Sequence, residues 1–323
     1  METDHKKIRV GDRSWFPRPE FIKQAAMESK GWLLIVEIII FIVMWKLFYG
    51  GEYVGFIVLH TLLTGVGLSG SMLPDWADIV LNNLLFGAGV LVILFYCRLV
   101  EKRRLRTMGF VKKRCGAEFL VGLAAGFSAF AACVLFALLL GAAQNDGMGT
   151  ADWPALLLVL LSYVLQSAVE ETVFRGYFMV SLSRRYPLWL AAALSALMFA
   201  AVHLGNPGAG PMVILNIFLI GLFLSMLILK RGNIWVACGF HAMWNFAQGN
   251  IFGMSVSGLN MSNNTIFKIS PASGSPLLTG GTFGLEAAFE ATVIAVLMIL
   301  LVLKLPAVDR SKEVHVFFPD DEN

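Results

Sequence analysis

The chain has 323 residues, of which 57% are hydrophobic and 15% are charged, with a formal net charge of +3. This composition lies far outside that of soluble globular domains and is typical of a polytopic membrane protein. The basic residues cluster beside apolar segments, which favours membrane topology over nucleic-acid binding as their explanation. We therefore expect an all-α bundle in the lipid bilayer, without a nucleic-acid partner.

Windows of about 20 apolar residues predict eight transmembrane helices. In chain order they are residues 32–50, 77–99, 117–143, 153–181, 187–204, 211–230, 233–252 and 283–305. They divide the chain into a basic N-terminal segment, residues 1–31, a transmembrane domain, residues 32–305, and a C-terminal tail, residues 306–323. The N-terminal segment is too long for the n-region of a cleaved signal peptide, so the first span is expected to remain.

Basic residues gather in the connections that this count places on one side of the membrane. By the positive-inside rule, both termini are then cytoplasmic, and we expect a multi-pass location in a bacterial plasma membrane. Residues 53–71 are apolar but interrupted by glycines, threonines and His60. A crossing there would move the basic run 98–114 outside, so we interpret residues 53–71 as interfacial or re-entrant.

Three further features of the spans bear on packing and cofactors. Gly122 and Gly126, four apart in the third span, indicate close helix packing. The four cysteines are scattered and suggest neither a disulfide framework nor a Cys-type zinc site. Glu286 and Glu290 share one face near the outer end of the last span, where we expect Glu290 at the wet interface; Glu37 in the first span has no assigned role. The outer loop 250–283 is expected to be a solvated connector.

Two adjacent carboxylates and a guanidinium interrupt the apolar span 153–181. Ionisable groups in hydrocarbon cost several kcal/mol unless they pair or face a wet cavity. Glu171 and Arg175 are four residues apart and can pair on one helix face. Glu170 then has no cation of its own. A carboxylate without a paired cation can hold or release a proton near neutral pH, which is what a general base must do. A purely structural ion-pair cluster is the alternative interpretation.

Other spans bring more polar groups to the same depth. Counted from the cytoplasmic turns at ~1.5 Å per residue, Glu170 and His203 both lie about 21–22 Å into the membrane. Asn245 lies at about 21 Å and His241 one turn lower. Three helices therefore deliver four polar side chains to one layer of the membrane.

This set of groups suits hydrolysis of an amide. A glutamate and a histidine can activate one water molecule, while a second histidine and an asparagine stabilise the resulting oxyanion. A metal alternative stays open, because Glu170, His203 and His241 would supply a carboxylate and two imidazoles to Zn²⁺. The residues alone do not separate these two mechanisms.

The three motifs resemble those of a known family. Glu170-Glu171-x-x-x-Arg175, Phe199-x-x-x-His203 and His241-x-x-x-Asn245 occur in the order found in the CPBP family, which contains CAAX proteases and bacteriocin-processing enzymes and is also called the ABI family. The resemblance covers about residues 100–305. It implies an intramembrane endopeptidase of the glutamate type, historically labelled a metalloprotease. Glu170 and His203 would then activate water, His241 and Asn245 would form the oxyanion hole, and Glu171 with Arg175 would support the site.

Two functions are consistent with this pattern. The first is cleavage of a membrane-associated peptide or protein without a cofactor. The second is a non-catalytic immunity or scaffold protein of the same fold that binds a hydrophobic peptide without cutting it. The intact set of site residues favours the protease.

Overall fold

The computed structural model describes residues 16, 18–65, 73–259 and 263–308. The second half of the predicted N-terminal segment is described and contains a helix, Glu20–Glu28, whereas most of the predicted C-terminal tail lies outside the described residues. The helices are α1 (Glu20–Glu28), α2 (Leu34–Gly65), α3 (Asp75–Leu99), α4 (Cys115–Leu139), α5 (Trp153–Ser183), α6 (Leu188–Val202), α7 (Pro211–Arg231), α8 (Trp235–Phe246) and α9 (Phe289–Lys304). Short helical turns occupy Leu105–Met108, His203–Gly205, Pro276–Thr279 and Leu285–Ala287.

The predicted all-α membrane bundle is confirmed, but the predicted number of eight spans is wrong. Within the described residues, six helices are long and apolar enough to cross a membrane: Leu34–Leu62, Asp75–Leu99, Cys115–Leu139, Trp153–Ser183, Leu188–Gly205 and Pro211–Arg231. The other two predicted spans are helical but short. Helix α8 has 12 residues and continues for five more as a π-helix, and α9 has 16.

The short length of α8 follows from where it lies. Ten of its 12 residues are buried, so protein rather than lipid surrounds it on almost every side. A helix buried in this way need not match the ~30 Å thickness of the hydrocarbon core. Its apolar sequence therefore reflects a protein interior, which hydropathy alone does not distinguish from a lipid-facing helix.

The interpretation of residues 53–71 as interfacial or re-entrant is also wrong for the residues described, and the predicted end of the first span at residue 50 is too early. Helix α2 runs unbroken for 32 residues to Gly65. The polar residues that suggested a break are satisfied within the helix. The hydroxyl groups of Thr61 and Thr64 donate to the carbonyl oxygens of Ile57 and His60, one turn earlier, at 2.8 and 2.9 Å. Residues 66–72 lie outside the described part of the chain.

An ion-pair network joins α2 and α5 at the end of α5 that carries Arg184. Arg184 lies 3.4 Å from Glu37 and 2.6 Å from Glu101, and all three side chains are at most 1% exposed. Arg103 pairs with Glu101 at 3.1 Å and donates to the carbonyl oxygen of Gly176. This network gives Glu37, which the sequence left unassigned, a structural role.

Two strands far apart in the chain pair at the other end of the bundle. Strand β1 (Ala143–Met148) runs antiparallel to β2 (Phe267–Pro271), with Ala143 opposite Pro271. The predicted connector 250–283 is therefore partly built into a sheet. It is tied down further where the backbone N–H of Ser257 donates to Glu286 at 2.8 Å.

Glycines set the position of α8 against α4. A Cβ atom added to Gly122 would lie 2.2 Å from the carbonyl oxygen of Val236, and one added to Gly126 would lie 2.3 Å from that of Phe240. On the facing helix, a Cβ atom on Gly239 would lie 2.2 Å from the carbonyl oxygen of Phe119. The two backbones are therefore in direct contact, and the close packing predicted for Gly122 and Gly126 is confirmed.

We expect Gly126→Ala to destabilise the fold. The added methyl group meets backbone rather than a movable side chain, and overpacking of this kind costs roughly 1–3 kcal/mol. Thermal unfolding of the purified protein in detergent measures the effect. The matched control is Gly116→Ala, because Gly116 lies on the same helix and no described heavy atom comes within 4 Å of an added Cβ. Equal melting temperatures for the two variants would contradict this account of the helix contact.

Candidate active site

Arg175 and Glu171 form a buried ion pair on α5. Nη1 of Arg175 lies 2.8 Å from Oε1 of Glu171, and neither side chain is exposed. The second guanidinium nitrogen donates to the carbonyl oxygen of Gly221 at 3.1 Å, and the ring of Phe199 lies 4.5 Å from Cζ. The chain widens into a π-helix directly after this carboxylate, over Thr172–Met179, a distortion that is frequent at functional sites. The pairing predicted from the spacing is present.

His241 on α8 lies between two carboxylates. Its Nδ1 is 2.9 Å from Oε1 of Glu171, and its Nε2 is 3.5 Å from Oε2 of Glu170. Because a carboxylate only accepts hydrogen bonds, Nδ1 carries the proton that is donated to Glu171. Nε2 is therefore the nitrogen that faces Glu170. Glu171 accepts from both Arg175 and His241 through one oxygen and fixes the orientation of the imidazole ring.

Glu170 has one inaccessible and unbonded oxygen. Its Oε2 is buried beside Nε2 of His241, at 3.5 Å, without a hydrogen-bond partner among the described residues. The side chain as a whole is 11% exposed and borders both cavities. A water molecule therefore reaches the carboxylate from the cavity side and not at Oε2.

His203 follows α6 and is partly exposed. Its Nδ1 lies 2.7 Å from the carbonyl oxygen of Phe199, which only accepts, so Nδ1 carries the proton and Nε2 is left free in the neutral ring. The ring of Phe199 packs edge-on against both His203 and His241, with centroid separations of 5.1 and 5.8 Å. This phenyl ring keeps the two imidazoles apart on the same side of the site.

Asn245 lies one helical turn after His241. Its amide nitrogen donates to Oε1 of Gln166 at 3.2 Å. Gln166 was not predicted as a site residue, although its position four residues before Glu170 places both side chains on one helix face.

All four predicted catalytic side chains line one small cavity of about 40 Å³, which we call the inner cavity. Its other walls are mainly apolar and aromatic: Phe199, Ile217, Ile220, Leu224, Phe240 and Trp244. A larger space of about 670 Å³, the outer cavity, adjoins it. Five residues line both cavities: Gln166, Glu170, His203, Asn245 and Ser257. The polar groups therefore lie where the two cavities meet.

Glu286 is a second glutamate that helps to enclose the inner cavity. It accepts from Nε1 of Trp244 at 3.2 Å and from the backbone and hydroxyl group of Ser257 at 2.8 and 3.1 Å. These bonds hold the 255–258 loop over α8. Glu290, one turn further, is completely buried, so its expected location at the wet interface is wrong.

The described residues contain no group of three His, Cys, Asp or Glu side chains spaced to hold a metal ion. Glu170, His203 and His241 share a cavity, and both histidines donate through Nδ1, to a carbonyl oxygen and to Glu171, which leaves Nε2 of each ring available. Hydrogen bonds of this kind also orient histidines that bind metals, so they do not distinguish the water mechanism from the zinc mechanism.

Comparison with known proteins agrees with this arrangement. Residues 152–247, which carry the three motifs, match the family model described as type II CAAX prenyl endopeptidase Rce1-like. The chain is also similar to an Escherichia coli protein described as an uncharacterized 24.3 kDa protein, with 27% identity over 187 residues that cover 53% of this chain and 82% of the relative. No solved structure matches. The resemblance to the CPBP family expected from the motifs is thereby confirmed over residues 152–247, and the chain is an integral, multi-pass membrane protein.

Proposed function

We propose that the protein is an intramembrane endopeptidase that hydrolyses peptide bonds of a membrane-associated peptide or protein. The observation that carries the proposal is the position of the Glu170 carboxylate, which lines both cavities where they meet, together with His203 and Asn245. The family match supports a CAAX-protease-like enzyme. The prenyl group named in that family description is not carried over to this chain.

Glu170 and His203 activate the water in this proposal. The Glu170 carboxylate accepts a proton from a water molecule bound where the cavities meet, and Nε2 of His203 accepts the second hydrogen bond. The water oxygen then attacks the carbonyl carbon of the scissile amide. The proton held by Glu170 passes to the departing amide nitrogen, which restores the carboxylate.

His241 and Asn245 stabilise the oxyanion. Nε2 of His241 donates to it when both ring nitrogens carry protons, a state that the carboxylates at 2.9 and 3.5 Å compensate electrostatically. The amide nitrogen of Asn245 supplies a second donor when it leaves Gln166. Donors fixed in a site of low dielectric constant contribute most of the stabilisation of such intermediates.

The apolar walls of the inner cavity accommodate a hydrophobic side chain of the substrate. The substrate is then a peptide or protein segment that reaches the site from the bilayer or from its outer surface. The proposed topology has both termini in the cytoplasm, as the distribution of basic residues predicts, and the proposed location is a bacterial plasma membrane.

Glu170→Gln should abolish cleavage while the fold is retained. The amide removes the proton acceptor, so the rate with a quenched, membrane-anchored peptide is expected to fall by about 100-fold or more. The melting temperature should change little, because Oε2 of Glu170 has no hydrogen bond to lose among the described residues. Undiminished turnover in this variant would exclude Glu170 as the base. Binding of the peptide by the wild type without any cleavage would favour the alternative, a non-catalytic protein that binds a hydrophobic peptide.

Glu171→Gln should lower both activity and stability, because it leaves Arg175 without its buried counterion, at a cost on the order of 3–5 kcal/mol. The double variant Glu171→Gln with Arg175→Met separates the two effects. Removing both charges should restore much of the melting temperature, but not kcat, because His241 still lacks its carboxylate acceptor. Recovery of kcat in the double variant would show that the pair has only a structural role.

We further propose that catalysis needs no metal. Cleavage should persist after dialysis of the purified protein against strong chelators, with metal content measured on the same sample. Zinc at a reproducible one-to-one ratio that is lost together with activity would overturn this proposal and support the zinc mechanism.

A further inference from the structure

The outer cavity is walled by acidic and aromatic side chains from α2 and α3. Its carboxylates, apart from Glu170, are Glu52, Asp75 and Asp78, and we call these three residues the acidic vestibule. They do not belong to the motif set and have no part in the chemistry proposed above. Their shared cavity leads directly to Glu170.

The charge of the acidic vestibule is not compensated within the cavity. None of the described residues that line the outer cavity is Lys or Arg. Oε2 of Glu52 is buried without a hydrogen-bond partner in the described chain, and Asp75 accepts only a neutral amide, Nδ2 of Asn263, at 3.0 Å. Asp78 is exposed. At the inner end, Glu170 is about nine-tenths buried with a free oxygen, so four carboxylates follow one continuous space.

Aromatic side chains line the outer cavity together with these carboxylates. Trp45 and Tyr49 of α2 and Phe86 of α3 line the same cavity. Ring faces attract ammonium and guanidinium groups, and carboxylates attract them more strongly in a partly enclosed space than in bulk water. An anionic or purely apolar segment would bury these carboxylates without compensation.

The inner cavity has the opposite character. Its lining beyond the four catalytic side chains is mainly aliphatic and aromatic, with Ile217, Ile220, Leu224 and Phe240 on one side. The site of hydrolysis thus separates an apolar pocket from an acidic one. A peptide bound across it presents different side chains to each.

We propose that the substrate is a peptide segment with a bulky apolar side chain on one side of the scissile bond and a lysine or arginine on the other, where the acidic vestibule binds it. This proposal rests on the proposed function of the site and deepens it by naming the substrate class. The acidic vestibule raises the local concentration of cationic segments and selects against acidic ones.

A charge scan of quenched-fluorescence peptides tests the proposal. One apolar peptide that the detergent-purified protein cleaves is varied to Lys, Gln or Glu at each position within four residues of the cut. At one or more positions on a single side, kcat/KM should be roughly tenfold higher for Lys than for Glu, mainly through KM, and the ratio should fall as salt is added.

Variants then assign this preference to the acidic vestibule. Asp78→Asn and Glu52→Gln should each reduce the ratio of Lys to Glu at least about twofold, while kcat for the Gln peptide stays near that of the wild type. The matched control is Asp146→Asn, which removes the same charge from an exposed residue of β1 outside both cavities. Equal kcat/KM for the three peptides, or the same change with Asp146→Asn, would overturn the proposal and leave the protease assignment intact.

A binding measurement keeps the two proposals separate. Fluorescence polarisation of labelled Lys and Glu versions of one apolar peptide, with wild type and Asp78→Asn, does not require turnover. Stronger binding of the Lys peptide that Asp78→Asn weakens supports the acidic vestibule even if no peptide is cut. Equal binding of the two peptides, or binding unaffected by Asp78→Asn, contradicts it whether or not the protein is a protease.

Discussion

The site depends on one buried carboxylate oxygen. Oε1 of Glu171 accepts from Arg175 at 2.8 Å and from His241 at 2.9 Å, and so joins α5 to α8 in the interior of the bundle. A buried charge that lacked either partner would be costly, so the three groups stabilise each other only when both helices are in place. The neighbouring Glu170 lies at the cavity wall, 3.5 Å from Nε2 of His241 and without an Arg or Lys partner among the described residues. One of the two adjacent glutamates is thus held by an arginine and supports the site, while the other borders the cavity and is available for chemistry.

Much of this site could be predicted from the sequence, because helix periodicity determines which residues on one helix lie on the same face. The i, i+4 spacing predicted the ion pair between Glu171 and Arg175 and assigned no partner to Glu170. Counting residues from the cytoplasmic turns placed His203 and Asn245 at the same membrane depth as Glu170. The same reasoning could not find His241 between two carboxylates, since that contact depends on the rotation of α8 about its own axis. Ser257 was missed for a related reason, since it comes from a distant loop that only the folded chain brings to the cavity, whereas the i, i+4 spacing of Gln166 and Glu170 was available in the sequence and was overlooked.

Hydropathy predicted the kind of fold and failed on its count of spans. The apolar run of α8 has the composition of a spanning helix, yet protein surrounds most of it, and the glycines of α4 rather than lipid set its environment. The glycines and threonines of residues 50–65 led to the opposite error: they predicted a break where the helix is continuous. The threonine hydroxyl groups donate to carbonyl oxygens one turn earlier in the same helix. Residues that usually mark a loop are therefore accommodated in α2 without a break.

Helix α2 is longer than the hydrocarbon core of a bilayer is thick. At ~1.5 Å per residue its 32 residues extend about 48 Å, well beyond the ~30 Å hydrocarbon core of a bilayer. Hydrophobic mismatch of this size is relieved by tilt or by local thickening of the lipid. Trp45, Tyr49 and Glu52 on this helix form part of the outer cavity wall. We therefore expect the acyl-chain length of the surrounding lipid, through the tilt of α2, to affect the shape of the outer cavity and not the groups that carry the chemistry.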